Sequence, residues 1–161
     1  MSEFNLKKRH RMKRKMIRRL LEELEEGFGI RPVWEDEDVD QAGSPVGDVF
    51  LVKGDIMALR LDGSVAPSLR GLLTHTAPRR FVTVDMGAVS FIYNGADVMA
   101  PGIKDADPRI SPGDPVYVRD MKNLKPLAVG VARMDGETMV DQSSGVAVET
   151  RHHVGDGIWL F

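Results

Sequence analysis

Four histidines, no cysteine and a few close-set carboxylates limit the chemistry open to this 161-residue chain. His152 and His153 are adjacent, so on a strand their rings point to opposite faces and cannot hold one ion together. His10 and His75 lie far away in sequence, and structural zinc normally takes four ligands, so no metal is expected. One of the paired rings can instead stack on a nucleobase. Asp105 and Asp107 are close together but read as a solvated loop rather than an acid–base pair. There is no Ser-His-Asp motif, no phosphate loop and no zinc-protease helix. The expectation is therefore a protein without cofactor or catalytic centre.

Charge is more informative. Residues 1–20 hold nine Lys/Arg against Glu3 alone, so one end carries +8 while the remainder carries −10 within a net charge of −2. A concentrated basic end on a nearly neutral chain points to a polyanionic partner. The other reading is a solvated helix face supported by Arg18–Glu22 and Arg19–Glu23 pairs. Those pairs leave the cations of residues 7–15 without nearby partners. The seven expected phosphate contacts are Lys7, Lys8, Arg9, Arg11, Lys13, Arg14 and Lys15. Cysteine-free composition suits a reducing interior, and no apolar run approaches the ~18 residues of a membrane span, so a cytoplasmic location is expected.

The elements that position these residues follow from periodicity. Met12, Met16, Leu20 and Leu24, with Ile17 and Leu21 beside them, predict one helix over residues 8–26, ended by Gly27 and Gly29. Its basic start opposes the helix dipole, at roughly 0.3–1 kcal/mol per well-placed charge, so the cations are not there to stabilise the helix. Residues 32–48 read as an irregular acidic loop. The stretch "VFLVKGDIMALRLDGSVA" reads as an antiparallel meander with turns at Lys53-Gly54 and Asp62-Gly63. Ser68 caps a short helix that Pro78 closes off, and Asp85 caps another, "MGAVSFIYN", ending at Gly95. The remaining segments "RFVTV", "DPVYVRD", "KPLAVGVARM", "GVAVETRHHV" and "GIWLF" predict five strands of a small mixed-β barrel, with Trp159 and Phe161 in its last strand.

Between helix and barrel lies "NGADVMAPGI", too glycine-punctuated for a helix and too apolar for a solvated loop. Asp85, Gly87-Ala88, Gly95-Ala96-Asp97-Val98-Met99 and Pro101-Gly102 together closely resemble the PUA domain, the RNA-binding fold named after pseudouridine synthases and archaeosine transglycosylases. Preceded by "LVKGDIMALRLDGSVAPSLRGLL", this segment is similar to the malignant T-cell amplified sequence, or translation machinery-associated, family, and "LKKRH" resembles its archaeal-type members. The likeness runs over residues 1–161, strongest from 82 onward and weakest over 30–48.

The resemblance implies an α+β chain with a pre-PUA α/β domain over residues 1–78 and a PUA-type mixed β-barrel over 79–161. It also implies a groove in which small residues let an RNA backbone approach, while Val98, Met99 and Ile103 hold the wall onto the core. The expected groove residues are Tyr93, Asn94, Gly95, Ala96, Pro101, Gly102, Lys104, Arg119, Arg151 and His152. The expected function is non-enzymatic RNA binding in the translation machinery, at tRNA acceptor ends or small-subunit rRNA during initiation or recycling. Eukaryotic relatives work with a density-regulated partner protein on the small ribosomal subunit, so a protein partner for the N-terminal domain is expected as well. The alternatives are a protein-interaction module and an RNA-modification accessory factor.

Overall fold

The expected meander forms. In the computed structural model, which describes residues 4–161, β3 (Gly47–Val52), β4 (Asp55–Leu61) and β5 (Ser64–Pro67) pair antiparallel in sequence order. Their two tight turns place Lys53, Gly54, Asp62 and Gly63 at positive φ, the backbone that two-residue hairpins demand. Ser68 caps α2 (Leu69–Thr74) by accepting from the Gly71 amide at 3.1 Å.

Two expectations in this half are corrected. The helix does not begin at residue 8: residues Lys7–Arg11 form β1, and α1 runs Arg14–Phe28. The acidic stretch is not wholly irregular, because Val39–Ser44 forms β2, which bridges β1 and β3. The cause is pairing across the chain. Arg9 and Arg11 both bond Asp40 across the β1–β2 ladder, and the Met12 amide bonds the Val39 carbonyl at 2.8 Å. Once Met12 is fixed there, α1 buries Ile17, Leu20, Leu21, Leu24 and Phe28, while Met16 stays exposed. Gly29 ends the helix in the left-handed region.

The second sheet has the order β7-β11-β10-β9-β6-β8 and curls as a half-barrel. It comprises β6 (Phe81–Val84), β7 (Val98–Met99), β8 (Ile103–Ala106), β9 (Pro115–Asp120), β10 (Pro126–Ala132) and β11 (Val146–His153). Only β6 and β9 run parallel. Asp85 caps a 3-10 turn, Met86–Ala88, that leads into α3 (Val89–Tyr93). Residues Gly136–Asp141 form the short helix α4, capped by Asp135. The segment "GIWLF" is not a strand: Asp156 accepts from the Trp159 amide and starts the helical turn α5 (Gly157–Leu160). Trp159 is accordingly half-buried and Phe161 exposed. Asp107 is not a solvated loop residue either; it is buried and accepts from the amides of Arg80 and Arg109.

The side chains of β9 and β10 enter two different cores. Val116, Val118, Leu127, Ala128 and Ala132 pack inside the half-barrel, against Ile92, Val98 and Met139. Tyr117, Val129 and Val131 face the other way and join α1 and the first sheet, where the Tyr117 ring lies 6.4 Å from Phe28. The Tyr117 hydroxyl donates to the Ala77 carbonyl at 2.5 Å, and burial pushes its pKa up.

Polar contacts cross the same seam. His152, 1 % exposed, accepts the Leu69 amide on Nε2 at 3.1 Å and meets Asp156 through Nδ1 at 2.9 Å. These partners assign the neutral Nδ1–H tautomer, since Nε2 must accept. Burial alone would raise the Asp156 pKa, but bonds from the His152 ring and from the Trp159 and His153 amides outweigh it and hold the carboxyl below its ordinary 3.8. Its stabilising contribution is therefore present above the ordinary aspartate range and lost as pH falls through the lowered value. His152→Ala should cost about 1–3 kcal/mol for the orphaned Leu69 amide alone, read as a lower urea midpoint at neutral pH. Asp156→Asn should flatten the acid limb of stability against pH. An unchanged midpoint in the first variant would mean that water replaces the ring without loss.

Candidate nucleic-acid interface

The Asp85-to-Gly102 segment folds around a cleft of about 500 Å³. Asp85 ties both ends together: its side chain accepts from the Ala88 amide at 3.1 Å, and its own amide donates to the Gly102 carbonyl at 2.9 Å. The far wall is pinned to β11, where the Thr150 amide and hydroxyl donate to the Asp97 carboxylate and the Ala96 carbonyl, at 3.0 and 2.9 Å. Ile92, Val98 and Ala100 are buried beneath. Gly87, Ala88, Ala96, Pro101 and Gly102 give the walls small or side-chain-free surface, while Phe91 and Met99 stand at the cleft 66 % and 49 % exposed. Asp85 and Asp97 are its only charged lining residues among those described. The slot is therefore apolar, with backbone close at hand and no lysine or arginine inside it.

The expected groove residues divide into three groups. Ala96, Pro101 and Gly102 line the cleft. Tyr93, half-buried against the half-barrel core, and exposed Asn94 end α3 beside it, and exposed Lys104 follows on β8. Arg119, Arg151 and His152 are engaged elsewhere. The Arg119 guanidinium stacks 4.0 Å from the Phe81 ring centroid and donates to the Thr83 hydroxyl at 2.9 Å. Arg151 makes two 3.1 Å bonds to Asp62 and one of 2.9 Å to Glu149. The Asp62 carboxyl is held below its ordinary range first by these Arg151 bonds, and the Glu149 carboxyl first by Arg133 and then by Arg151. His152 is sealed in the seam, so it offers no ring face to a base: burial overrides that expectation.

Phe91 and Met99 were not expected as cleft residues, and Met99 was expected to anchor the wall. One signal could have found Phe91: Phe91 and Ile92 are successive helical positions about 100° apart, so burial of Ile92 turns Phe91 outward.

Gly95 ends α3, as its place in the sequence predicts, and does not line the cleft. It sits at φ +86, and a Cβ there would meet His153 Nε2 at 2.9 Å. It is a helix-terminating glycine packed on an imidazole. Gly102 has ordinary backbone, and a Cβ there would meet only the Ala88 methyl at 3.5 Å, on the open cleft.

The N-terminal cations are also divided. Arg9 and Arg11 bond Asp40 at 2.9 and 2.7 Å, Arg11 reaches Asp38 at 3.1 Å, and Arg14 reaches Asp38 at 3.8 Å. These three were expected to lack partners; the strand pairing that replaces the first helical turns brings the acids to them. Lys7, Lys8, Lys13 and Lys15 are exposed, with no ion-pair partner among the described residues. Glu23 pairs with Arg60 at 3.5 Å rather than with Arg19.

Residues 80–154 match the PUA domain family. Over 166 aligned positions the chain is 37% identical to an uncharacterized protein of Methanocaldococcus jannaschii, covering 97% of this chain and 98% of that one. It is 31% identical to translation machinery-associated protein 20 of Schizosaccharomyces pombe over 118 residues, covering 69% of this chain and 64% of that protein. The chain thus spans just under two thirds of this eukaryotic relative. The crystal structure of a hypothetical protein of Pyrococcus horikoshii superposes with a TM-score of 0.83 at 34% identity, covering 94% of this chain and 98% of that one.

The two glycines separate fold from cleft. Gly95→Ala should lower stability by about 1–3 kcal/mol, from left-handed strain and the clash with His153. Gly102→Ala should leave the thermal midpoint nearly unchanged. Equal losses in both would mean that the wall around Gly102 is tighter than its 3.5 Å contact indicates.

Proposed function

The chain belongs to the family of PUA-domain proteins that includes translation machinery-associated protein 20 and the malignant T-cell-amplified sequence proteins, and on that premise we propose that it is a non-enzymatic RNA-binding protein of the translation machinery. The observation that carries this reading is the apolar cleft itself. A slot walled by Phe91 and Met99, with no cation inside, suits the flat face of an unpaired base better than a phosphate. Gly87, Ala88, Ala96 and Gly102 bring no long side chain to the same surface, so sugar and base edges can approach the backbone closely there.

Unpaired bases occur at tRNA acceptor ends and in the loops of small-subunit rRNA, and one of these is the target we assign, during initiation or recycling. The cleft reads as a binding site rather than a site of turnover because Asp85 and Asp97 both accept bonds from backbone amides and so hold the walls in place. Asn94 and Lys104 flank it and supply polar contacts at the rim.

Titration of a labelled RNA hairpin ending in an unpaired 3′ segment tests this. Base–aromatic stacking contributes about 1–3 kcal/mol, so Phe91→Ala should weaken binding roughly 5- to 150-fold, with the salt dependence unchanged because no charge is removed. Met99→Ala should have a smaller effect in the same direction. Wild-type affinity in a folded Phe91→Ala protein would overturn the assignment of the cleft.

A further inference from the structure

The free protein already shows anions seated on its basic face. β1 is the outer strand of the first sheet, and all five of its side chains, "KKRHR", are exposed. The acidic run of residues 35–40 folds along it. Asp40 takes the Nε groups of both Arg9 and Arg11, and Asp38 takes Arg11 and Arg14. Arg14 also donates to the carbonyl oxygens of Glu35, at 2.8 Å, and of Glu37. Around these three arginines lie Lys7, Lys8, Lys13, Lys15, Arg18 and Arg19, all exposed and without ion-pair partners among the described residues.

Five residues of strand extend roughly 16 Å, and the first turns of α1 lengthen the row. Cations spread along such a row fit the repeated charges of a phosphate backbone. A protein partner would need an apolar or aromatic anchor, and among the described residues of β1 and α1 Met16 is the one large apolar side chain that is exposed. Arg11 and Asp38 are 59% and 68% exposed, so their pair contributes little to stability and can exchange partners. Asp40 is better covered. Its carboxyl is held below the ordinary range, first by Arg11 and then by Arg9, so it stays charged.

We propose that the β1–α1 face binds a nucleic-acid phosphate backbone, and that Asp38 and Asp40 occupy it in the free protein as carboxylate stand-ins, Asp38 yielding Arg11 and Arg14 to the incoming strand. This rests on the reading of the chain as an RNA-binding protein but uses a surface other than the cleft. Guanidinium forks donate to carboxylate and phosphate oxygens in the same geometry, which is what makes the substitution possible. The acidic strip then sets the threshold: it screens the arginines against weak, scattered anions and gives way to a run of phosphates.

A blunt RNA duplex has no unpaired end for the cleft and probes this face alone. With the full chain, Asp38→Asn should tighten duplex binding about threefold and steepen its salt dependence. The triple variant Lys8→Gln, Lys13→Gln, Lys15→Gln should weaken binding at least tenfold and flatten the slope by roughly 0.7–0.9 for each phosphate that is no longer neutralised. All four positions are exposed, and equal urea midpoints confirm that the fold is intact. Phe91→Ala should leave duplex binding unchanged, so failure of the cleft and failure of this face give different patterns. Unchanged affinity and slope in both Asp38→Asn and the triple variant would overturn the proposal. So would poly-glutamate binding with the same variant dependence while the duplex does not bind, since the face would then serve an acidic protein.

Discussion

Strands β9 and β10 have no solvent face. A strand alternates its side chains between two sides, and most small antiparallel sheets leave one of them in water. Here both sides are covered, the inner by α3 and the half-barrel, the outer by α1 and the first sheet. Tyr117, Val129 and Val131 are as fully buried as Val116 and Val118 on the opposite side. Separating the two sheets would expose those outward residues at about 1.5–3 kcal/mol for each large side chain. It would also break the Leu69–His152 and Arg151–Asp62 hydrogen bonds. The position of α1, and with it the basic face, therefore depends on an apolar surface that belongs to the other sheet.

Shape and charge occupy different places on the molecule. The cleft has form, small walls and an exposed ring, but no positive charge. The β1–α1 face has charge and length, but little apolar surface. In a ligand that meets both, the selective part of the contact and the attractive part are supplied by separate elements, and each is tuned by its own neighbours. Asp97 and Thr150 shape one, and Asp38 and Asp40 restrain the other.

Much of this was legible in the sequence where the signal is local. The turns at Gly54 and Gly63, the caps at Ser68 and Asp85, and the glycine–alanine pattern from 85 to 102 all depend on residues within a few positions of one another. What stayed hidden is long-range or too short. Nothing in "KKRHR" alternates in polarity, and its strand state comes from Asp40, 29 to 31 positions downstream of the arginines it pairs. β7 has two residues, fewer than any periodicity can reveal. "GIWLF" carries apolar residues suited to a strand, but Asp156 turns it into a helical cap. Arg151 and His152 lie beside the cleft in any strand diagram. They are drawn into the seam by Asp62 and by Leu69, residues that pattern alone does not connect to them.

β11 carries both assignments on neighbouring residues. His152 turns into the seam toward Leu69, while the His153 ring lies behind Gly95 at the end of α3. The β10–β11 pairing shifts between these histidines and Thr150, a bulge that places Arg151 off the regular ladder and toward Asp62. A slip of one residue along β10 would exchange the two rings, emptying the seam of its acceptor and placing the wrong ring behind the glycine. The pairing of a single strand thus works as one register mark read from both sides, so an insertion or deletion between Thr150 and His153 would misplace the cleft wall and the first sheet in the same event.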